Sequence, residues 1–321
     1  MQMFTRFTLI ALSLAIAGCG AIAVATAPEK QASTTRSDQA NLADKLFWQT
    51  LHSGDYDGIA QATNALTAAY LQDPYDATTA AHIGFLHIWR LAESNRLEEV
   101  PSTITDHSTL ARRYFEEAVA LNPDDARLQG FLSSAKLSEA NIHQDEKLKR
   151  QGYFNLLDSI KAWPEFNLFT AGYTMSRLPA SSDNFKKALE WQWQNLEVCV
   201  GGSIDRNYPE LPQYERVAEL DGMKRVCKNS WIAPHNFEGF FLNMGDMMVK
   251  SGDWQLAKKI YANAKSSPDF STWKFADVLQ ARIEDAELNV ARLNAATPMG
   301  SRPAEAIMVS STFACTGCHQ K

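Results

Sequence analysis

The chain has 321 residues, 45% of them hydrophobic, with a formal net charge of −6 and a pI near 5.7. That is enough apolar material for one large or two modest packed domains. The balance excludes the basic surface that a general nucleic-acid binder uses, and gives no reason to expect attraction to anionic lipid.

The first twenty residues, MQMFTRFTLIALSLAIAGCG, hold one positive charge, Arg6, and then an apolar run from Phe7 to Ala17. The run is shorter than the ~20 residues that span a bilayer, and it has the build of a secretory signal peptide. Ile16–Ala17–Gly18–Cys19 resembles the bacterial lipobox. The resemblance covers residues 1–19 and implies cleavage after residue 18, acylation of Cys19 and a lipid-anchored periplasmic protein. Gly20, standing where such signals place a retention Asp, implies the outer membrane. Residues 19–43 are rich in Ala, Ser and Thr without a hydrophobic period, so they read as a flexible tether.

From 44 to 290 the chain reads as helix after helix, with sparse Val and Ile and no sustained alternation. Near 241–250 and 254–265 two helices are predicted around the turn SGDW, with Pro268 ending the second. Gly245, Gly252, Ala257, Tyr261 and Ala264 are spaced so that small residues let two helices approach and an aromatic fills the gap beside them. The half-pattern recurs at Ala62, Leu66, Ala69 and Pro74, and at Ala111, Phe115, Ala118 and Pro123. These stretches resemble tetratricopeptide-type repeats over most of 44–290, most strongly at 241–270. The resemblance implies an all-α solenoid of helical hairpins with a concave face for a protein partner.

Between Cys199 and Cys227 the pattern stops in a Gly- and Pro-containing insertion, which either carries a function or covers exposed core. With five cysteines, Cys19 assigned to lipid and Cys315 and Cys318 to the tail, Cys199 and Cys227 remain as an even pair. In an exported protein such a pair favours a disulfide over two buried thiols.

Residues 291–321 form a linker and a tail ending in Cys315-Thr-Gly-Cys318-His319. Two thiols and an adjacent histidine are what covalent haem c requires: thioethers to two vinyl groups and one axial nitrogen. The motif resembles that of c-type cytochromes over residues 315–319 only, and implies one haem c with His319 as the proximal iron ligand. No cytochrome domain follows it, so the haem must dock on the solenoid or on a partner, or sit exposed. A thiol–disulfide site and a zinc site are the rival readings of the two thiols. Candidates for the distal iron ligand are His235, Met299, His82 and His87, the last two five residues apart on different faces of one helix. Met244, Met247 and Met248 are expected in the core.

No Ser-His-Asp set, phosphate loop or HExxH stands out, so hydrolytic and nucleotide-dependent chemistry have no residues to carry them. The expected function is electron transfer by a lipid-anchored periplasmic monohaem cytochrome on a repeat scaffold, rather than catalysis. The alternative is a haem-free scaffold lipoprotein that assembles an envelope complex.

Overall fold

A computed structural model describes residues 20, 22–210, 222–227, 237–267, 269–295 and 316–319. Cys19, Cys315, His235, Met299 and Pro268 lie outside the described residues. Among the described residues every regular element is helical.

The helices are α1 (Asp38–Ser53), α2 (Ile59–Gln72), α3 (Ala77–Ala92), α4 (Asp106–Leu121), α5 (Ala126–His143) and α6 (Glu146–Ala162). They continue as α7 (Pro164–Met175), α8 (Asp183–Val200), α9 (Phe237–Ser251), α10 (Trp254–Ala262), α11 (Ala276–Glu284), α12 (Ala286–Asn294) and a short α13 (Thr316–His319). From α1 to α8 each helix packs on the next. Short polar stretches punctuate them. The side chains of Ser37, Asp76, Asp125, Asp145, Ser182 and Asp253 accept first-turn N–H groups and so start six of the helices. Gly54 and Gly201 end α1 and α8 at φ 68° and 75°, where a side chain would be strained.

The body begins earlier than the composition suggests. α1 starts at Asp38, inside the stretch expected to be tether, because Ser37 caps it and Ala40, Ala43 and Phe47 are buried on one face. Ahead of it, the Ser33 amide donates to the Tyr75 carbonyl at 2.9 Å and Arg36 Nε sits 3.0 Å from Asp76 Oδ2. At the other end α12 runs to Asn294, past the expected boundary at 290.

Two large cores form. One joins α1, α2 and α3 through Phe47, Leu66, Ile83 and Trp89. The other joins α8, α9 and α10 through Leu196, Leu242, Met244, Met248 and Tyr261. Met247 is buried in a neighbouring cluster, so all three methionines pack in the core. At the α9–α10 crossing a Cβ on Gly245 would lie 2.2 Å from a Tyr261 ring carbon. The tyrosine hydroxyl donates to Asp246 Oδ1 at 2.5 Å, and Arg282 Nε lies 3.2 Å from the same oxygen.

Cys199 and Cys227 are disulfide-bonded across 28 residues. Closing that loop in the unfolded chain contributes about 3–4 kcal/mol on the chain-entropy account. The described ends of the insertion cover the body. Lys259 and Asn263 donate to the carbonyls of Asn207 and Pro209, and Trp163 donates to that of Met223.

Replacing Gly245 by Ala should destabilise the protein by about 1–3 kcal/mol through overpacking against Tyr261. Gly202→Ala, where a Cβ meets nothing within 4 Å, should leave the denaturation midpoint almost unchanged, and urea titration of both variants checks the contrast.

Candidate functional site

A four-residue helix has too little surface to hold itself in place, so α13 depends on what it lies against. It packs on α9 and α1, helices about two hundred residues apart in sequence. The Trp273 indole N–H donates to the Gly317 carbonyl at 3.1 Å. Gly239 makes the closest approach. A Cβ there would lie 2.5 Å from the Gly317 oxygen, 2.7 Å from Cys318 Cα and 2.8 Å from its sulfur. Cys318 and His319 are consequently buried, at 2% and 8% exposure. Burial pushes the Cys318 thiol pKa well up, and the nearby Glu238 carboxyl pushes it further.

His319 forms part of the lining of a cavity of about 470 Å³. Its other walls come from α1, α3, α4, α5 and α7. α3 contributes Thr78, Ala81, His82 and Phe85, the i, i+3, i+4, i+7 spacing of one helix face. Aromatic rings dominate. Phe85 meets His319 edge-on at 5.5 Å between centroids, and Phe131 links Phe85 to Phe166 at 5.7 and 5.8 Å. Phe47 stacks on His82 at 4.0 Å.

Each carboxylate of the cavity lies beside an arginine or an imidazole. His82 Nδ1 lies 2.7 Å from Asp44 Oδ1. Arg36 approaches the same oxygen at 3.6 Å while holding Asp76. Burial raises the pKa of Asp44, but the contacts to His82 and Arg36 outweigh it and leave the carboxyl below its ordinary value. On another wall Arg127 Nη2 sits 2.5 Å from Asp125 Oδ2. Burial raises the Asp125 pKa as well, and Arg127 again more than reverses it.

The structure thus brings His319 and His82 to one cavity. His87 is elsewhere: its Nδ1 is 2.8 Å from His107 Nδ1 and its ring stacks on Tyr114. Burial, helped by the charge of His107, pushes the His87 pKa down to about 4. Cys318 does not line the cavity, since its sulfur rests against Gly239. Sequence reasoning missed Asp44, Arg36 and Arg127, which carry no local signal. It also missed Gly239, although a glycine inside an apolar helix, like Gly245, points to close packing.

Among the described residues no three His, Cys, Asp or Glu side chains gather as a metal site, and no helix is long and apolar enough to cross a membrane. The chain matches no protein-family model, no curated protein and no solved structure.

Two outcomes follow from these contacts. Gly239→Ala should release α13, speeding amide hydrogen exchange at residues 317–319 about tenfold or more, and Trp273→Phe should do so about fivefold, the loss of one ~1 kcal/mol hydrogen bond. The second concerns acid. His87 titrates near 6.5 when unfolded and about 4 when folded, so between those values the unfolded chain binds the extra proton. Stability is therefore lost as pH falls from 6.5 towards 4, by roughly 1–3 kcal/mol from this group, and His87→Gln should flatten that part of a Tm–pH curve.

Proposed function

We propose that the chain is a lipid-anchored periplasmic cytochrome that carries one haem c at its C-terminus and exchanges single electrons with a protein partner. The observation that carries this reading is His319, the histidine of the C-x-x-C-H motif, lining an aromatic-walled cavity together with His82. The scaffold is read as a tetratricopeptide-type solenoid. Consecutive packed helices support that, as do the close approaches of Gly245 to Tyr261 and of Gly84 to Phe115. The lipid anchor rests on the lipobox-like residues 16–19 alone.

The residues present fit haem in four respects. At about 470 Å³ the cavity falls in the ~300–1,000 Å³ range of small-molecule and cofactor sites. Its flat apolar walls suit a macrocycle, and it offers two imidazoles. Asp44 occupies Nδ1 of His82, fixing the ring and leaving Nε2 as the nitrogen open to iron, as a carboxylate does behind many ligating histidines. Arg36 and Arg127 provide guanidinium groups on the walls for propionates, to be shared with Asp76 and Asp125. Attachment at Cys318 requires its sulfur to face the cavity instead of Gly239. When bound, haem c supplies a one-electron iron couple. His319 and His82 would hold the group, and Phe85, Phe131 and Phe166 would line it with apolar surface.

The sulfur position of Cys318 is the one observation that favours the second reading, a scaffold whose tail is structural. The test is expression with a haem c maturation system, followed by a reduced alkaline pyridine spectrum. The expected result is a haem c spectrum, lost in Cys315→Ala/Cys318→Ala. His82→Ala should keep the covalent haem but lose the low-spin bands of a six-coordinate iron. A colourless protein, with maturation shown to work on another cytochrome, sinks the cytochrome reading and leaves the scaffold.

A further inference from the structure

Helices α3, α4 and α5 extend beyond the His319 cavity, and their other halves line a second cavity of about 380 Å³. Ile88, Leu91, Ala111, Ala135 and Ile142 supply its apolar floor. The two chambers are separated by the cluster of Phe85, Phe115 and Phe131, against which Ile88, Ala111 and Ala135 pack from the second side. Phe115 and Phe131 lie nearly parallel at 5.5 Å, so the partition is a layer of stacked rings.

The polar lining differs in kind between the chambers. In the first, each arginine already holds an aspartate. In the second, Arg177, two residues beyond the end of α7, is the only charged residue among the described lining residues, and none of these is a carboxylate. Hydroxyls of Ser94, Ser108, Ser134, Ser138 and Thr174 stand around it, with Ser134 and Thr174 oxygens 2.9 Å apart. Arg177 keeps access to solvent, yet the protein around it desolvates its guanidinium and lowers its pKa, and the nearby Tyr173 phenol is the one group that opposes this. Arg177 is a solvent-exposed cation on the wall of an apolar chamber, with no carboxylate beside it among the described lining residues. An incoming carboxylate pairs with it through two parallel N–H···O bonds, the geometry guanidinium favours. A phosphate ester, with two negative charges, calls for more than one cation, and a neutral apolar molecule makes no use of the arginine.

We propose that this second cavity binds a small amphipathic monocarboxylate, its carboxylate on Arg177 and its hydrocarbon part on the floor formed by α3, α4 and α5. The volume, near the lower end of the ~300–1,000 Å³ of small-molecule sites, restricts it to a compact acid. The site stands on the polypeptide alone and does not depend on the haem reading.

Isothermal titration calorimetry of the full-length protein with octanoate tests it, with 1-octanol as the uncharged probe. Octanoate should bind, and at least tenfold more tightly than 1-octanol. Arg177→Gln should weaken octanoate about 10–100-fold, the effect of losing a charged hydrogen-bonding pair, and leave 1-octanol unchanged. Ser138→Phe, which places a ring at the rim of the chamber from a half-buried position, should abolish binding of both. Circular dichroism confirms that both variants fold, and a variant that does not is replaced by Arg177→Lys, which keeps the charge but loses the fork and should lose several-fold. The proposal is overturned if octanoate fails to bind the folded wild type, if 1-octanol binds as well as octanoate, if folded Arg177→Gln binds octanoate as tightly as the wild type, or if folded Ser138→Phe still binds it.

Discussion

The contact on which the site depends is backbone against backbone: the carbonyl of Gly317 and the α-carbon of Cys318 lie where a methyl group on Gly239 would stand. Only a residue without a Cβ lets α13 come that near to α9. At this distance Trp273 reaches Gly317 with its indole, and the tail becomes a fixed wall. His319 is then carried to the far side of α13, against Phe85 of α3. The same end of the chain reaches the start of the body a second time, where Lys274 donates to the Ser53 carbonyl at 3.3 Å. The motif therefore lies against helices more than two hundred residues earlier in the chain.

Three helices serve two chambers because a helix repeats its faces along its length. α3 turns residues 78, 81, 82 and 85 to one cavity and 88, 91 and 92 to the next. The chambers share walls but not electrostatics. Asp44, Asp76 and Asp125 neutralise the arginines near His319, and this leaves the first cavity close to neutral and apolar. The second cavity keeps an uncompensated cation, which suits a charged ligand.

The rest of the molecule holds these walls still. The disulfide closes the base of the insertion, and hydrogen bonds from Trp163 and from α10 lay its described ends across the body. Beneath α9 the Tyr261–Asp246–Arg282 contacts keep a charge buried with its partners, which removes the cost of leaving either one alone. Removing one member of such a set strands the others, so the network enforces one packing of α9 as well as stabilising it.

Much of the helical body was legible in the sequence because it depends on local chemistry. Helix spacing, the caps, the glycine–aromatic pair at 245 and 261 and the cysteine pair at 199 and 227 are read from residues near one another or from counting. The motif at 315–319 is equally local, and so was the expectation that His82 and His87 face different ways. The early start of α1 was less legible, because Ser37 caps the helix only once Ala40 and Ala43 find a core to enter. Which histidine shares a cavity with His319 was decided only by tertiary structure. His82 is 237 positions away in sequence, and nothing along the chain records that α13 folds back onto α1. Asp44 and Arg127 become cavity groups, and Arg177 a cation without a carboxylate, for the same reason. Pairings and cavities are relations between distant surfaces, fixed when helices pack, whereas periodicity and capping are written into each helix before it meets another.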